Sequence, residues 1–135
     1  MRKIILTFLI LFLLSQITYA SESRWKFICD TNVTSVYIDN NTWKLTKTDS
    51  NKSIIDCWFK TREKDSFIIN HMLYYPHNLN FLMKESNQYN NDGKLMASWD
   101  STNLGWIAAT PGTNIEIQLS STNEWISNKV KLKLK

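Results

Sequence analysis

Short runs of apolar and aromatic residues, separated by polar turn residues, limit what this chain can fold into more than any other feature. The run Ile54–Lys60 is the clearest, because its isoleucines and aromatic residues suit a pleated, half-buried strand. Pro76 has no amide hydrogen and divides two longer runs, 67–75 and 79–89. The Asn-Asp-Gly triplet at 91–93 predicts a hairpin, since Asp-Gly tolerates the positive φ angles of a tight two-residue turn.

The first part of the chain follows the same pattern. Runs at 25–29 and 35–39 each end in residues that favour turns, aspartate and asparagine. The run 43–47 also alternates apolar and polar residues, and we expect it to continue the preceding strand after a bend. The chain is therefore predicted to form a series of short strands.

The periodicity changes after Pro111-Gly112. Thr113 and Glu116 match a helix capping box, in which each side chain bonds the other residue's amide. Four residues then share one helical face: Ile115, Leu119, Thr122 and Ile126. Part of this segment also alternates as a strand would, and a helix is the favoured interpretation. In residues 130–135 apolar residues alternate with lysine, and this pattern predicts either an edge strand or a frayed tail.

Residues 1–20 are predicted to be a signal peptide. Arg2 and Lys3 precede an eleven-residue run, 4–14, that is apolar except for one threonine, and small residues precede a cleavage site after Ala20. A retained membrane anchor is disfavoured, because a spanning helix needs about 20 apolar residues. We therefore expect export of the remaining 115 of 135 residues to the periplasm, the cell surface or the medium, with no stable membrane span after cleavage.

The positive charge is unevenly distributed. The chain has 16 Lys and Arg against 12 Asp and Glu. Two of these bases lie in the leader, and four lysines lie in a basic tail predicted at 128–135, so the body is slightly acidic. A nucleic-acid-binding protein needs a basic face, and we expect no nucleic-acid partner. Lys131 and Lys133 in the tail are candidates for contacting an anionic surface.

Cys29 and Cys57 are the two cysteines, and an exported protein meets an oxidising environment. A disulfide between them would close a loop of about 28 residues and contribute roughly 3 kcal/mol. If their strands flank a common neighbour, their Cα atoms would lie about 10 Å apart, too far for a bridge. Two buried thiols are the alternative.

His71, Met72 and His77 suggest a haem or metal site, but their spacing fits no zinc or haem-attachment motif. One strand histidine and one turn histidine are the alternative. The sequence has no glycine-rich phosphate loop, no serine elbow and no paired histidines on a helix. We therefore expect a non-enzymatic protein without a metal or cofactor.

Six tryptophans are too many for a small sheet to bury completely. Any that remain exposed favour a binding surface, because tryptophan is enriched at interface hot spots. Trp43, Trp99 and Trp106 are the candidates for such contacts.

Three blocks of sequence resemble the surface-adhesin protein E family of small secreted bacterial proteins. The first runs from Trp25 through the Tyr-Ile-Asp strand end at 37–39 to Trp-Phe-Lys at 58–60. The second is the Tyr-plus-Asp-Gly-Lys hairpin at 89–94. The third is Trp-Ile at 106–107, followed by Pro-Gly-Thr before the last helix. The blocks occur in the family's order.

The resemblance implies an α+β fold: an antiparallel sheet of about five to six strands with one C-terminal helix packed on a face. Such a domain would span residues 21–127. It also implies binding to host matrix or plasma proteins, as in the family member after which it is named. We therefore predict an exported bacterial module that binds a protein of the host matrix or cell envelope, and a homodimer fits this prediction. The alternative is a small-ligand or haem carrier.

Overall fold

The alternating runs form one antiparallel sheet that curls into a half-barrel. The computed structural model describes residues 24–130. Its elements are β1 (Trp25–Asp30), β2 (Ser35–Asp39), β3 (Lys44–Lys47), β4 (Ser53–Arg62), β5 (Ser66–Tyr74), β6 (Asn80–Asn90), β7 (Leu95–Asp100), the 3₁₀ turn η1 (Thr102–Leu104), β8 (Ile107–Ala108) and the helix α1 (Asn114–Val130).

The central strands follow the order β1-β2-β4-β5-β6-β7, with β3 paired to β4 and β8 paired to β6. The antiparallel sheet with a C-terminal helix is confirmed, but the predicted count of five to six strands is wrong, because the sheet formed by residues 24–130 has eight. The run 43–47 does not continue β2. Its residues 44–47 form a separate strand that pairs with residues 53–56 of β4. The other additional strand, β8, has only two residues.

The helix begins where the capping pair predicts. Thr113 Oγ1 accepts a hydrogen bond from the Glu116 amide at 3.4 Å. The helix is described as far as Val130 and includes residues 128–130, which the sequence predicts as part of the tail. Residues 131–135, with the candidates Lys131 and Lys133, and the predicted leader at 1–20 lie outside the described residues.

The helix covers one face of the sheet, which we call the helix face. Its core consists of fully buried side chains from β2, β4, β5 and the helix: Val36, Ile38, Ile55, Cys57, Phe59, Met72, Tyr74, Leu119 and Ile126. Alternation along each strand sends the remaining side chains to the opposite side, which we call the open face. The helix contributes a fully buried Thr122, whose hydroxyl is satisfied by the Gln118 carbonyl at 2.7 Å.

The predicted hairpin at 91–93 is confirmed between β6 and β7. Its loop has three residues rather than two, because the Asn90 amide donates to the Lys94 carbonyl. Gly93 adopts a φ of 83°, and its amide donates to the Asn90 carbonyl at 3.0 Å. A single glycine in the left-handed region suffices for this loop, whereas a two-residue type I′ turn needs two positive φ angles.

Both ends of the described chain meet at the turn after β2. The Asn40 amide donates to the Arg24 carbonyl at 2.8 Å, and the Asn40 side-chain oxygen accepts a hydrogen bond from Lys129 of the helix. At the end of β2, directly before this turn, the buried Asp39 carboxylate pairs with Arg24. This turn therefore connects the first strand to the last helix.

Candidate functional site: an apolar edge of the sheet

The candidate disulfide is not formed, and both thiols are free. Cys29 lies on β1 and Cys57 on β4, on either side of β2. The register pairs Cys29 with Val36 and Val36 with Thr61, which is four residues beyond Cys57. Two interstrand spacings and four residues of strand place the two Cα atoms about 16 Å apart. That distance far exceeds the reach of a disulfide.

The buried Cys57 thiol is a structural group. It is fully buried, and its Sγ lies 3.9 Å from the Met72 carbonyl oxygen. Burial raises the pKa of this thiol well above its ordinary value, and the nearby Asp56 carboxylate adds to the effect. Burial also raises the pKa of Cys29, although a hydrogen bond with Ser121 opposes that rise. Neither thiol is activated as a nucleophile, because activation requires a lowered pKa.

The candidate haem or metal residues do not converge on one site. Met72 is fully buried on the helix face. His71 lies on the open face, where it stacks on Trp58 with ring centroids 4.5 Å apart, and its Nε2 bonds Asp56 Oδ1 at 2.7 Å. His77 lies in the β5–β6 turn. Among residues 24–130, no group of three or more His, Cys, Asp or Glu side chains could hold a metal ion.

A shallow cleft of about 380 Å³ opens next to His71 at the β6–β7 side of the sheet. It is lined by mostly polar residues: His71, Lys84, Glu85, Ser98, Trp99, Asp100 and Thr102. The Ser98 hydroxyl donates to Asn87 Oδ1 at 2.6 Å, and His71 is held by Asp56. The two side chains therefore have separate partners and do not form a nucleophile–base pair of the kind used in acyl transfer.

The candidate tryptophans have different environments. Trp43 packs edge-on against Trp125 of the helix, with ring centroids 6.2 Å apart, and both contact the core. Trp43 is therefore part of the helix–sheet packing, and its role in an interaction surface stays a prediction. Trp99 and Trp106 remain 47% and 43% exposed. These two tryptophans are available for contact.

Most of the exposed large apolar side chains in the described chain belong to one stretch, 95–107. Of eight such side chains, six lie there: Leu95, Met96, Trp99, Leu104, Trp106 and Ile107. This stretch comprises β7, η1 and the start of β8, and both of its strands pair with the outer side of β6. We call it the apolar edge. A concentration of this kind on a protein surface is typical of an interaction site.

The rings at one end of the apolar edge are held in place by a strained turn. Trp106 lies against Tyr75 with ring centroids 4.7 Å apart, and Tyr75 meets His77 edge-on at 5.6 Å. Leu79 ends the turn with a φ of 56°, which is uncommon for a bulky residue. Its amide donates to the Tyr75 carbonyl and its carbonyl accepts from the Ala109 amide. We call the rings of Tyr75, His77 and Trp106, together with Leu104 and Ile107, the exposed apolar residues near Trp106 in sequence, the Trp106 cluster.

The other end of the apolar edge is the strand β7. Asp100 ends this strand, and its Oδ1 accepts hydrogen bonds from the hydroxyl and the amide of Thr102. These bonds lower the pKa of the Asp100 carboxyl. Asp100 is thus ionised at neutral pH on an exposed strand end, with no ion-pair partner among the residues described.

Sequence reasoning did not identify the rings of the open face. Lys60 lies between two of them, with its Nζ 4.5 Å from the Phe67 ring centroid and 5.9 Å from that of Trp25. Phe67 also stacks on Tyr89 at 5.2 Å. Burial, followed by repulsion from Arg62, lowers the pKa of Lys60. The strand registers bring these residues together, and no local sequence signal specifies them.

Comparisons with other proteins identify no relative. No protein-family model matches the chain, and no match was found among curated proteins or among solved structures. Within residues 24–130, no helix is both long enough and apolar enough to cross a membrane.

Proposed function

We propose that this protein is an exported, non-enzymatic module that binds a protein partner through the Trp106 cluster. The observation that carries the proposal is the concentration in the apolar edge of six of the eight exposed large apolar side chains of residues 24–130, three of which belong to the Trp106 cluster. Exposed apolar surface costs free energy in water, and that cost is recovered when a partner covers it. The remaining two, Phe27 and Val33, lie elsewhere on the chain.

The Trp106 cluster has the chemistry of an interface hot spot. Tryptophan and tyrosine dominate such positions because they bury a large area with few rotatable bonds. Contact with Tyr75 restricts the Trp106 ring before binding, and Tyr75 also contacts His77 edge-on. Less side-chain entropy is therefore lost when a partner binds. Leu104 at 67% exposure supplies further apolar area nearby in sequence.

The partner that we propose is a protein of the host extracellular matrix or of the cell envelope. The predicted leader supports a location where such proteins are present. The resemblance to the surface-adhesin protein E family supports the same class of partner. The Trp106 cluster would supply the central contacts, with the polar residues around it forming the rim.

The experiment measures binding of the exported form to solubilised host matrix, host plasma proteins and native cell envelope. We expect Trp106→Ala to weaken capture of the partner about tenfold or more, which corresponds to a loss of about 1.4 kcal/mol. Phe27→Ala is the matched control, because Phe27 is an exposed ring outside the apolar edge. Equal binding by both variants and the unmodified protein would contradict the proposal. Stoichiometric haem binding that disappears in His71→Ala would favour the carrier instead.

A further inference from the structure

The strand β7 presents an unpaired backbone edge. β7 pairs with β6 along one side, and the part of the chain that the structure describes places no strand along its other side. A one-residue irregularity near Met96 interrupts the register, after which Ala97–Asp100 pairs regularly with β6. Peptide groups along an unpaired edge can form hydrogen bonds with a strand of another chain. Proteins that remain monomeric normally protect such an edge against this pairing.

The lysines and the covering element that usually protect a sheet edge lie on the opposite side of the sheet, whereas the protection of β7 is limited to the one-residue bulge near Met96 and to Asp100 at its end. On the opposite side, β1 contains Lys26 and packs against the helix, while β3 begins and ends with lysines, Lys44 and Lys47. Charged side chains and covering elements prevent edge-to-edge pairing. In contrast, β7 contains no lysine and no proline, and its outward side chains include Met96 at 61% exposure and Trp99. The two sides of the sheet are therefore not equivalent.

The charges that flank β7 identify its occupant. Lys94 precedes the strand and Asp100 ends it, and both are exposed without an ion-pair partner among residues 24–130. Antiparallel pairing of β7 with β7 of a second copy brings the Lys94 end of each strand to the Asp100 end of the other. Parallel pairing would instead bring like charges together, which is unfavourable for directly opposed residues. The strand is therefore self-complementary in the antiparallel arrangement alone.

We propose that two copies of this protein associate through β7, joining their sheets edge to edge around a two-fold axis. The interface is isologous, so it closes after two copies, and the lysine-bearing strands β1 and β3 become the outer edges of the joined sheet. This inference goes beyond the proposed function, because it concerns β7 rather than the Trp106 cluster. The dimer carries two Trp106 clusters, which gives avidity toward a partner with repeated sites.

A pair of matched lysine substitutions separates the two surfaces. Met96 and Leu104 are similarly exposed, but only Met96 lies on β7. In sedimentation velocity over a range of concentrations, we expect the unmodified exported protein to dimerise and Met96→Lys to remain monomeric. Leu104→Lys should still dimerise while losing affinity for the partner. Circular dichroism checks that both variants keep the fold, which their exposed positions favour.

Exchanging the two charges tests the antiparallel arrangement. We expect Lys94→Glu to weaken the dimer about tenfold, because two symmetry-related pairs become repulsive. The double variant Lys94→Glu with Asp100→Lys should recover dimerisation, since each end again meets the opposite charge. This recovery is specific to antiparallel pairing of identical strands.

Three outcomes would overturn the proposal. The first is an unmodified protein that stays monomeric at its highest soluble concentration. The second is a dimer that persists in Met96→Lys, which would place the interface elsewhere. The third is a β7 edge occupied by an extended segment of a different protein, shown by protection of the β7 amides from hydrogen exchange only when that protein is present.

Discussion

Arg24 donates two hydrogen bonds, from Nε at 2.9 Å and from Nη2 at 2.6 Å, to the same carboxylate oxygen of Asp39. The Asp39 side chain is fully buried, whereas half of the Arg24 side chain remains exposed. The other Asp39 oxygen accepts from the Asn41 amide at 3.0 Å. A buried carboxylate with both oxygens bonded joins the residue before β1 and the turn after β2 to the end of β2.

Stability should fall in acid because of Asp39. Burial acts to raise the pKa of this carboxyl, but hydrogen bonds from Arg24 and Asn41 outweigh it and hold the pKa below the ordinary value. A lowered folded-state pKa stabilises the fold above the unfolded-state pKa of about 3.9, and this stabilisation is lost as the pH falls through the folded-state value. We expect urea midpoints to decline below about pH 4. Asp39→Asn should flatten that decline, and an unchanged slope would contradict this assignment.

The same substitution should lower stability at neutral pH. Asp39→Asn removes one acceptor and leaves Arg24 without its counter-charge, for which we expect a loss of about 1–3 kcal/mol in urea unfolding. The ion-pair part is small, since Arg24 is partly in water. Asp30→Asn is the control, because Asp30 is exposed.

Labelling should distinguish the two thiols. Cys57 is fully buried with a raised pKa, so we expect it to resist iodoacetamide in the native state and to react only in denaturant. Cys29 is partly exposed and should react more slowly than a free thiol. The intact mass of protein purified without reductant should not change on reduction. A gain of two mass units on reduction would reveal a bridge that this structure does not contain.

Trp43 should matter for stability rather than for binding. Trp43→Ala removes the edge-on contact with Trp125 and opens the helix–sheet packing, for which we expect a loss of about 2–4 kcal/mol. Trp106→Ala is the comparison, because an exposed substitution should change the free energy of unfolding by about 1 kcal/mol or less. A larger loss in Trp106→Ala than in Trp43→Ala would reverse the two assignments.

Tyr74→Phe tests the polar link between the helix and the sheet. The Tyr74 hydroxyl donates to Asn123 Oδ1 at 3.0 Å, and Asn123 Nδ2 donates to the Pro76 carbonyl at 2.9 Å. Removing the hydroxyl leaves Asn123 Oδ1 without that donor, and we expect a loss of about 1–2 kcal/mol. The Pro76 contact also supports the turn beneath the Trp106 cluster, so hydrogen exchange at Leu79 should rise in Asn123→Ala.

Local signals predicted the elements whose geometry is set by neighbouring residues. Gly93 specifies the β6–β7 hairpin, and the pair Thr113 and Glu116 specifies the start of the helix. The strand β3 has no comparable signal, because only its register with β4 distinguishes it from a continuation of β2. Long-range pairing therefore explains the error in strand count.

The surroundings of the three candidate tryptophans could not be predicted from the sequence, because long-range packing decides them as well. The sequence alone does not show which of Trp43, Trp99 and Trp106 is exposed and which is buried. The helix covers Trp43 because its Trp125 ring packs against the Trp43 ring. Trp99 and Trp106 lie along the outer side of β6, away from the helix. Helix docking and strand order decide which tryptophan reaches solvent, and both are properties of the whole fold.

The meeting of Arg24 and Lys129 at Asn40 has a consequence for chain connectivity. Because the first strand and the last helix are bonded to the same residue, a short linker from residue 130 to residue 24 could close the chain into a ring. New ends opened in the loop at 91–93 would leave β6 and β7 as neighbours held by their own ladder. We expect such a circular permutant to fold, since domains tolerate rearrangement where their ends lie close together.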